Sequence, residues 1–98
     1  MGAVVLITGA STGFGRSAAE RLARRGHHVF ATMRDIKGRN AQHCSALDSL
    51  AARESLQLHV LELDVTDDRS VEDAVQRALR QSGHVDAVIN NAGVAGSA

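Results

Sequence analysis

Four short apolar runs, Ala3 to Ile7, His28 to Met33, Leu58 to Leu63 and Val85 to Asn90, punctuate the chain, and each gap between them carries apolar residues at helical spacing. Runs of this length suit strands, while the gaps are too long for hairpins and long enough for crossover helices. Ala18, Ala19, Leu22 and Ala23 form one face of the first helix, with Arg16, Glu20, Arg21, Arg24 and Arg25 turned away and Gly26 as its stop. Leu47, Leu50 and Ala51 mark a second helix from about Ala41 to Glu54. Val71, Ala74, Val75, Ala78 and Leu79 mark a third, capped by Thr66 or Ser70, with Ser70 and Asp73 resembling a capping box and Gly83 closing it. No proline interrupts the series. The order β-α-β-α-β-α-β is that of an α/β fold, a parallel sheet with right-handed crossovers and helices on both faces.

In such sheets ligands bind outside the carboxyl ends of the strands. The most unusual segment, Thr8-Gly9-Ala10-Ser11-Thr12-Gly13-Phe14-Gly15, stands at such an end, directly after the first strand and before the first helix. Glycines there let the backbone turn tightly and approach an anion, and the first amides of the helix point at it with the positive end of the helix dipole. A P-loop would need Gly-x-x-x-x-Gly-Lys-Ser/Thr, but the chain offers Ala10, Gly15, Arg16 and Ser17, so the first glycine and the lysine are missing. The glycines fall instead at 9, 13 and 15, the spacing Gly-x-x-x-Gly-x-Gly, the reverse of the common dinucleotide fingerprint.

The 98 residues suffice for a single core, so the chain is read as one unit, 1–98. Eleven Lys plus Arg balance 11 Asp plus Glu, which gives no reason to expect a nucleic-acid or membrane partner. Cys44 is the only cysteine, which excludes an internal disulfide and points to a reducing, cytoplasmic setting. The N-terminal apolar run has no basic leader and is too short to span a bilayer. His27, His28, His43, His59 and His84 lack metal-ligand spacing and read as ordinary histidines, with no metal site expected. No side chain is placed by sequence to activate Cys44 as a nucleophile.

Taken together, the glycine segment, Asp64-Val65 after the third strand and Asn90-Asn91-Ala92-Gly93 after the fourth resemble the N-terminal, cofactor-binding half of a short-chain dehydrogenase/reductase. The resemblance runs from about Val4 to Gly93. It implies a Rossmann-like sheet of order 3-2-1-4 and an oxidoreductase that transfers hydride between a nicotinamide cofactor and a carbonyl or alcohol. It places the cofactor diphosphate beside Gly9, Gly13, Phe14 and Gly15, with Ser11 and Thr12 in the same loop. Asp64 is implied to accept from the adenine amino group, Val65 to offer its amide to the ring, and Asn90 to touch a ribose through its carbonyl. Ala92 and Gly93 complete the site, and Asn91 ties neighbouring strands together. Taken by itself, Asp64 reads equally as a helix cap.

The end of the second strand separates the two nicotinamide cofactors. An acid there binds the ribose 2′-hydroxyl of NAD, whereas a nearby Arg accommodates the 2′-phosphate of NADP. Met33 occupies the acid's position and Arg34 follows, which favours NADP, with Ser11 donating to the same phosphate and Lys37 and Arg39 adding diffuse charge. A one-residue shift would bring Asp35 to the ribose instead and favour NAD.

The family's chemistry uses a Tyr, a Lys four residues on and a Ser. The chain has no Tyr, and its one Lys is Lys37, so no catalytic residue is assigned within these 98 residues. Two readings stand at this point: the cofactor-binding portion of a homo-oligomeric oxidoreductase, or a free-standing, non-catalytic NADP-binding module. An end at Ala98 would also leave the fourth strand as an apolar edge prone to self-association.

Overall fold

A computed structural model describes residues 2–91. Its elements are β1 (Val4–Thr8), α1 (Gly13–Arg24), β2 (His28–Met33), α2 (Ala41–Glu54), β3 (Leu58–Glu62), α3 (Asp68–Ser82) and β4 (Ala87–Asn90). The strands form one parallel sheet in the order β3-β2-β1-β4, as the resemblance implies.

All five residues of β1 are buried, because alternate side chains enter cores on opposite faces of the sheet. Val5 and Ile7 join Val29, Ala31, Met33 and Leu58 on one face, beneath Ala19 and Ala23 of α1 and Leu47 and Leu50 of α2. Val4 and Leu6 join Phe30, Leu61 and Leu63 on the other, beneath Ala74 and Ala78 of α3. The four helical alanines are at most 3% exposed, and their small side chains let each helix axis lie close to the sheet.

Three local details differ from the sequence expectation. The cap of α3 is Asp67, whose carboxylate accepts from the amides of Arg69 and Ser70. Neither Thr66 nor Ser70 caps it: the Ser70 hydroxyl accepts from the Asp64 amide and closes the β3–α3 loop instead. Second, β4 begins at Ala87, two residues after Val85. Asp86 meets the start of β1 at both its side chain and its backbone, the carboxylate accepting from Val4 N at 2.7 Å and its own amide donating to Val4 O at 2.8 Å. Third, β3 ends at Glu62, although Leu63 N still donates to Met33 O at 3.0 Å. Gly83 closes α3 as expected, at φ 83° with its amide on Leu79 O.

His28, Phe30 and His59 stack across β2 and β3 with centroids 4.7–5.6 Å apart. Among the described residues the buried His28 Nε2 has no hydrogen-bond partner. Burial lowers the His28 pKa below its ordinary 6.5, and the neighbouring His59 lowers it further. As pH falls below that value the unfolded chain takes up a proton that the folded chain resists. Stability is therefore complete above about pH 6.5 and declines below it. We expect His28→Leu to flatten the fall in Tm between about pH 7.5 and 5.5, a window above that of the carboxylates, when unfolding is followed by circular dichroism. An unchanged slope would show that protonation of His28 costs the fold nothing.

Candidate functional site

The loops that follow all four strands converge at the carboxyl edge of the sheet and enclose a cleft of about 720 Å³. The turn after β1 supplies Gly9, Ser11, Thr12, Gly13 and Phe14, and the loop after β2 supplies Arg34, Arg39 and Asn40. Leu63, Asp64, Val65 and Thr66 contribute from the loop after β3, and Asn91 from the end of β4.

Left-handed backbone at Gly9 (φ 64°) and Gly13 (φ 63°) turns the chain sharply from β1 into α1. Gly15 is required for a different reason. A Cβ there would stand 2.4 Å from Gly9 O and 2.8 Å from Asn91 Nδ2, so only glycine lets the first turn of α1 settle on β1. Asn91 Nδ2 donates to the same Gly9 carbonyl at 3.1 Å, joining β4 to the turn as expected of a strand-tying side chain. Ala10 N donates to Thr32 O at 2.9 Å and joins the turn to β2.

The two ends of the sheet-covering helices differ in their electrostatics. Asp67 caps α3, and Asp68 lies in its first turn. Thr12, at the N-cap of α1, makes no side-chain cap hydrogen bond, and the first turn of α1 contains no acid. The positive end of the α1 dipole is thus uncompensated by its own cap or first turn and faces the cleft, an arrangement suited to an anion.

Asp64 is held by Thr66, whose amide and hydroxyl both donate to Oδ1, at 3.0 and 2.7 Å. These bonds, the hydroxyl's first, lower the Asp64 pKa, and the nearby Arg34 charge adds to the effect. Asp64 is therefore a fixed carboxylate at neutral pH, and among the described residues Oδ2 accepts no hydrogen bond. It does not cap α3, which removes that alternative. Asp35, the sequence's rival for the ribose, turns its carboxylate into its own loop and accepts from Arg39 N at 2.9 Å.

Of the residues singled out by sequence, Gly9, Ser11, Thr12, Gly13, Phe14, Arg34, Arg39, Asp64 and Val65 line the cleft. Gly15 stands behind its wall. Asn90 accepts from the Thr8 hydroxyl through Oδ1 at 3.1 Å and is not among the lining residues. Ala92 and Gly93 lie outside the described residues. Lys37 lines an adjoining groove rather than this cleft. Asn40 and Leu63 are lining residues that the sequence reading missed. Asn40 stands at the N-cap of α2 but sends its amide back to Arg34 O, a reversal that periodicity does not reveal.

A profile of the family described as short chain dehydrogenase matches residues 3–98. The chain belongs to the short-chain dehydrogenase family. Retinol dehydrogenase 12 of Mus musculus is 40% identical over 94 residues, which are 95% of this chain and 28% of that protein. The structure of a blue fluorescent protein from a metagenomic library, in complex with NADPH, matches with a TM-score of 0.84 at 30% identity, over 95% of this chain and 37% of that one. That of 3-ketoacyl-(acyl-carrier-protein) reductase from Brucella melitensis, complexed with NADH, matches with a TM-score of 0.70 at 31% identity, over 89% of this chain and 32% of that one. The chain thus spans between 28% and 37% of the length of these relatives. No helix of the described residues is long and apolar enough to cross a membrane.

Gly15→Ala should lower stability by roughly 1–3 kcal/mol, as expected of an overpacked contact whose neighbours are backbone and a bonded amide. Urea unfolding measures this, and a variant as stable as the parent would mean that α1 can slide away from β1 at no cost.

Proposed function

We propose that the chain is the NADP-binding portion of an oxidoreductase that transfers hydride between the nicotinamide and a small carbonyl or alcohol substrate. The observation that carries this reading is the position of Arg34. It follows directly on β2 and lines the cleft, while the acid beside it is turned away into its own loop.

The residues present fit the cofactor's chemistry. The uncapped amides of α1 and the turn at Gly9 to Gly13 suit a diphosphate. Asp64 Oδ2 suits the adenine amino group, and the Val65 amide suits the ring. Arg34, with the Ser11 hydroxyl across the cleft, suits a 2′-phosphate, because a guanidinium offers a fork of charged donors that a hydroxyl does not need. When bound, the nicotinamide supplies or accepts the hydride. The chain's own part is to hold the diphosphate on glycine backbone, fix the adenosine, and select the phosphorylated ribose. No side chain of these 98 residues, which contain no Tyr, is assigned the proton transfer to the substrate. A cytoplasmic setting belongs to the same reading and is supported by the single cysteine. So does a homo-oligomeric state.

Titration of NADPH and NADH into the parent chain and two variants tests the proposal. Gly13→Val should abolish binding of both nucleotides, since a branched side chain resists φ 63° and fills the space beside the diphosphate. Arg34→Ala should weaken NADPH by ~1.5–3 kcal/mol, roughly ten- to a hundred-fold, and leave NADH nearly unchanged. Equal losses for the two nucleotides would make Arg34 structural, and a parent chain that prefers NADH would overturn the choice of NADP.

A further inference from the structure

Asp35 is an acid beside a site read as binding a phosphate dianion, and its charge alone would oppose that ligand. We propose that Asp35 is a positioning residue: by holding the amide of Arg39 it aims a second guanidinium into the cleft, so that Arg34 and Arg39 together grip the 2′-phosphate. The inference rests on the NADP reading above.

The loop from 34 to 40 is closed on itself. Asp35 adopts a left-handed backbone, φ 49°, which Asp and Asn tolerate better than other side chains. Its Oδ2 accepts from Arg39 N at 2.9 Å. Its carbonyl accepts from Gly38 N at 3.1 Å and Asn40 N at 3.0 Å. Gly38 makes room for the carboxylate, since a Cβ there would stand 2.6 Å from Oδ1 and 2.7 Å from Oδ2. From the other end Asn40 Nδ2 donates to Arg34 O at 2.5 Å. Arg34 and Arg39, towards the two ends of this closed loop, both line the cleft as well as the adjoining groove. Among the described residues neither guanidinium is engaged in an ion pair. Lys37 sits between them in sequence yet lines only the adjoining groove.

A phosphate dianion has more acceptor sites than one guanidinium fork fills. A loop already ordered before binding loses little further entropy when it closes on the ligand. The carboxylate's repulsion is offset by the donor that it fixes in place. If Asp35 were instead a ribose acceptor or a plain repulsive charge, its removal would have the opposite effect on a 2′-phosphate.

Adenosine 2′,5′-bisphosphate and AMP differ only in the 2′-phosphate, and calorimetric titration of both into the 98-residue chain isolates that contact. Arg39→Ala should weaken the bisphosphate about ten-fold or more and AMP less than about two-fold. Lys37→Ala removes the same charge from the same loop and should change either ligand less than about two-fold. Asp35→Ala should weaken the bisphosphate even though it deletes a negative charge, and should add little in an Arg39→Ala background. Asp35→Asn keeps both the acceptor and the left-handed preference and should bind at least as tightly as the parent. Gly38→Ala, which displaces the carboxylate without changing any charge, should behave like Asp35→Ala, with circular dichroism confirming that each variant is folded. Tighter bisphosphate binding by Asp35→Ala, or equal losses for Lys37→Ala and Arg39→Ala, would overturn the inference. A bisphosphate preference lost in Arg34→Ala but kept in Arg39→Ala would overturn it alone. A parent chain indifferent to the 2′-phosphate would overturn the NADP reading and this inference with it.

Discussion

The carbonyl oxygen of Gly9 accepts the side-chain amide of Asn91 at 3.1 Å, and Gly15 packs on it so closely that a methyl group there would stand 2.4 Å away. Three elements, β1, α1 and β4, meet at that oxygen. With the first turn of α1 fixed there and Ala19 and Ala23 seated on the sheet, the helix has little freedom to slide. Its uncapped N-terminus is therefore held at one place on the carboxyl edge. The bond from Ala10 N to Thr32 O brings β2, and hence the Arg34 loop, into the same frame. The cleft is thus framed by backbone contacts that exist before any ligand arrives, and preorganisation of this kind lowers the cost of binding.

The formal charge of the chain is zero, so its long-range field attracts nothing in particular. Selectivity has to come from local arrangement. The acids near the cleft are occupied: Asp64 by Thr66, Asp35 by the Arg39 amide and Asp67 by the start of α3. Each of these bonds fixes a carboxylate against backbone and limits its reach towards neighbouring cations. The helix dipole of α1 and the guanidinium of Arg34 keep their charge available at the cleft for the same reason.

How far the sequence reveals this depends on which physical signal carries each feature. Burial on both faces of β1 and β2 writes itself as apolar runs, β3 keeps a partly apolar one, and the three helices show their buried stripes at helical spacing, so element order, parallel topology and the α2 limits are legible. Gly9, Gly13 and Gly15 are legible because side chains are sterically excluded there. Hydrogen bonds with several possible donors leave a weaker trace. Thr66, Asp67 and Ser70 are all acceptable caps, and the choice of Asp67 rests on Ser70 being engaged by the Asp64 amide. The inward turn of Asp35 and the reversed Asn40 side chain follow from a left-handed residue at 35 and a glycine at 38. No periodicity records either. Leu63 reads as strand and its amide still reaches Met33 O, yet it stands just past β3 and lines the cleft.

Arginine serves two different ends in this chain, and the difference bears on how the site evolves its preference. Arg24 meets Glu54 at 2.9 Å across α1 and α2, and Arg16 meets Glu20 at 3.1 Å along α1. Exposed or part-exposed pairs of this type contribute little to stability, since solvent screening and side-chain entropy cancel most of the attraction. Substituting them changes the helix surface and little else. Arg34 and Arg39 form no such ion pair among the described residues, although the Arg34 charge acts on nearby Asp64, so both guanidinium groups remain free to meet an anion in the cleft. On the proposed reading, a short loop whose one acid is held by its own backbone can therefore alter the choice of ribose while the sheet, its two cores and the glycine turn stay as they are. On the proposed reading the diphosphate contact, built from backbone amides, serves both nicotinamide cofactors, whereas the 2′ position falls to side chains that the core does not constrain.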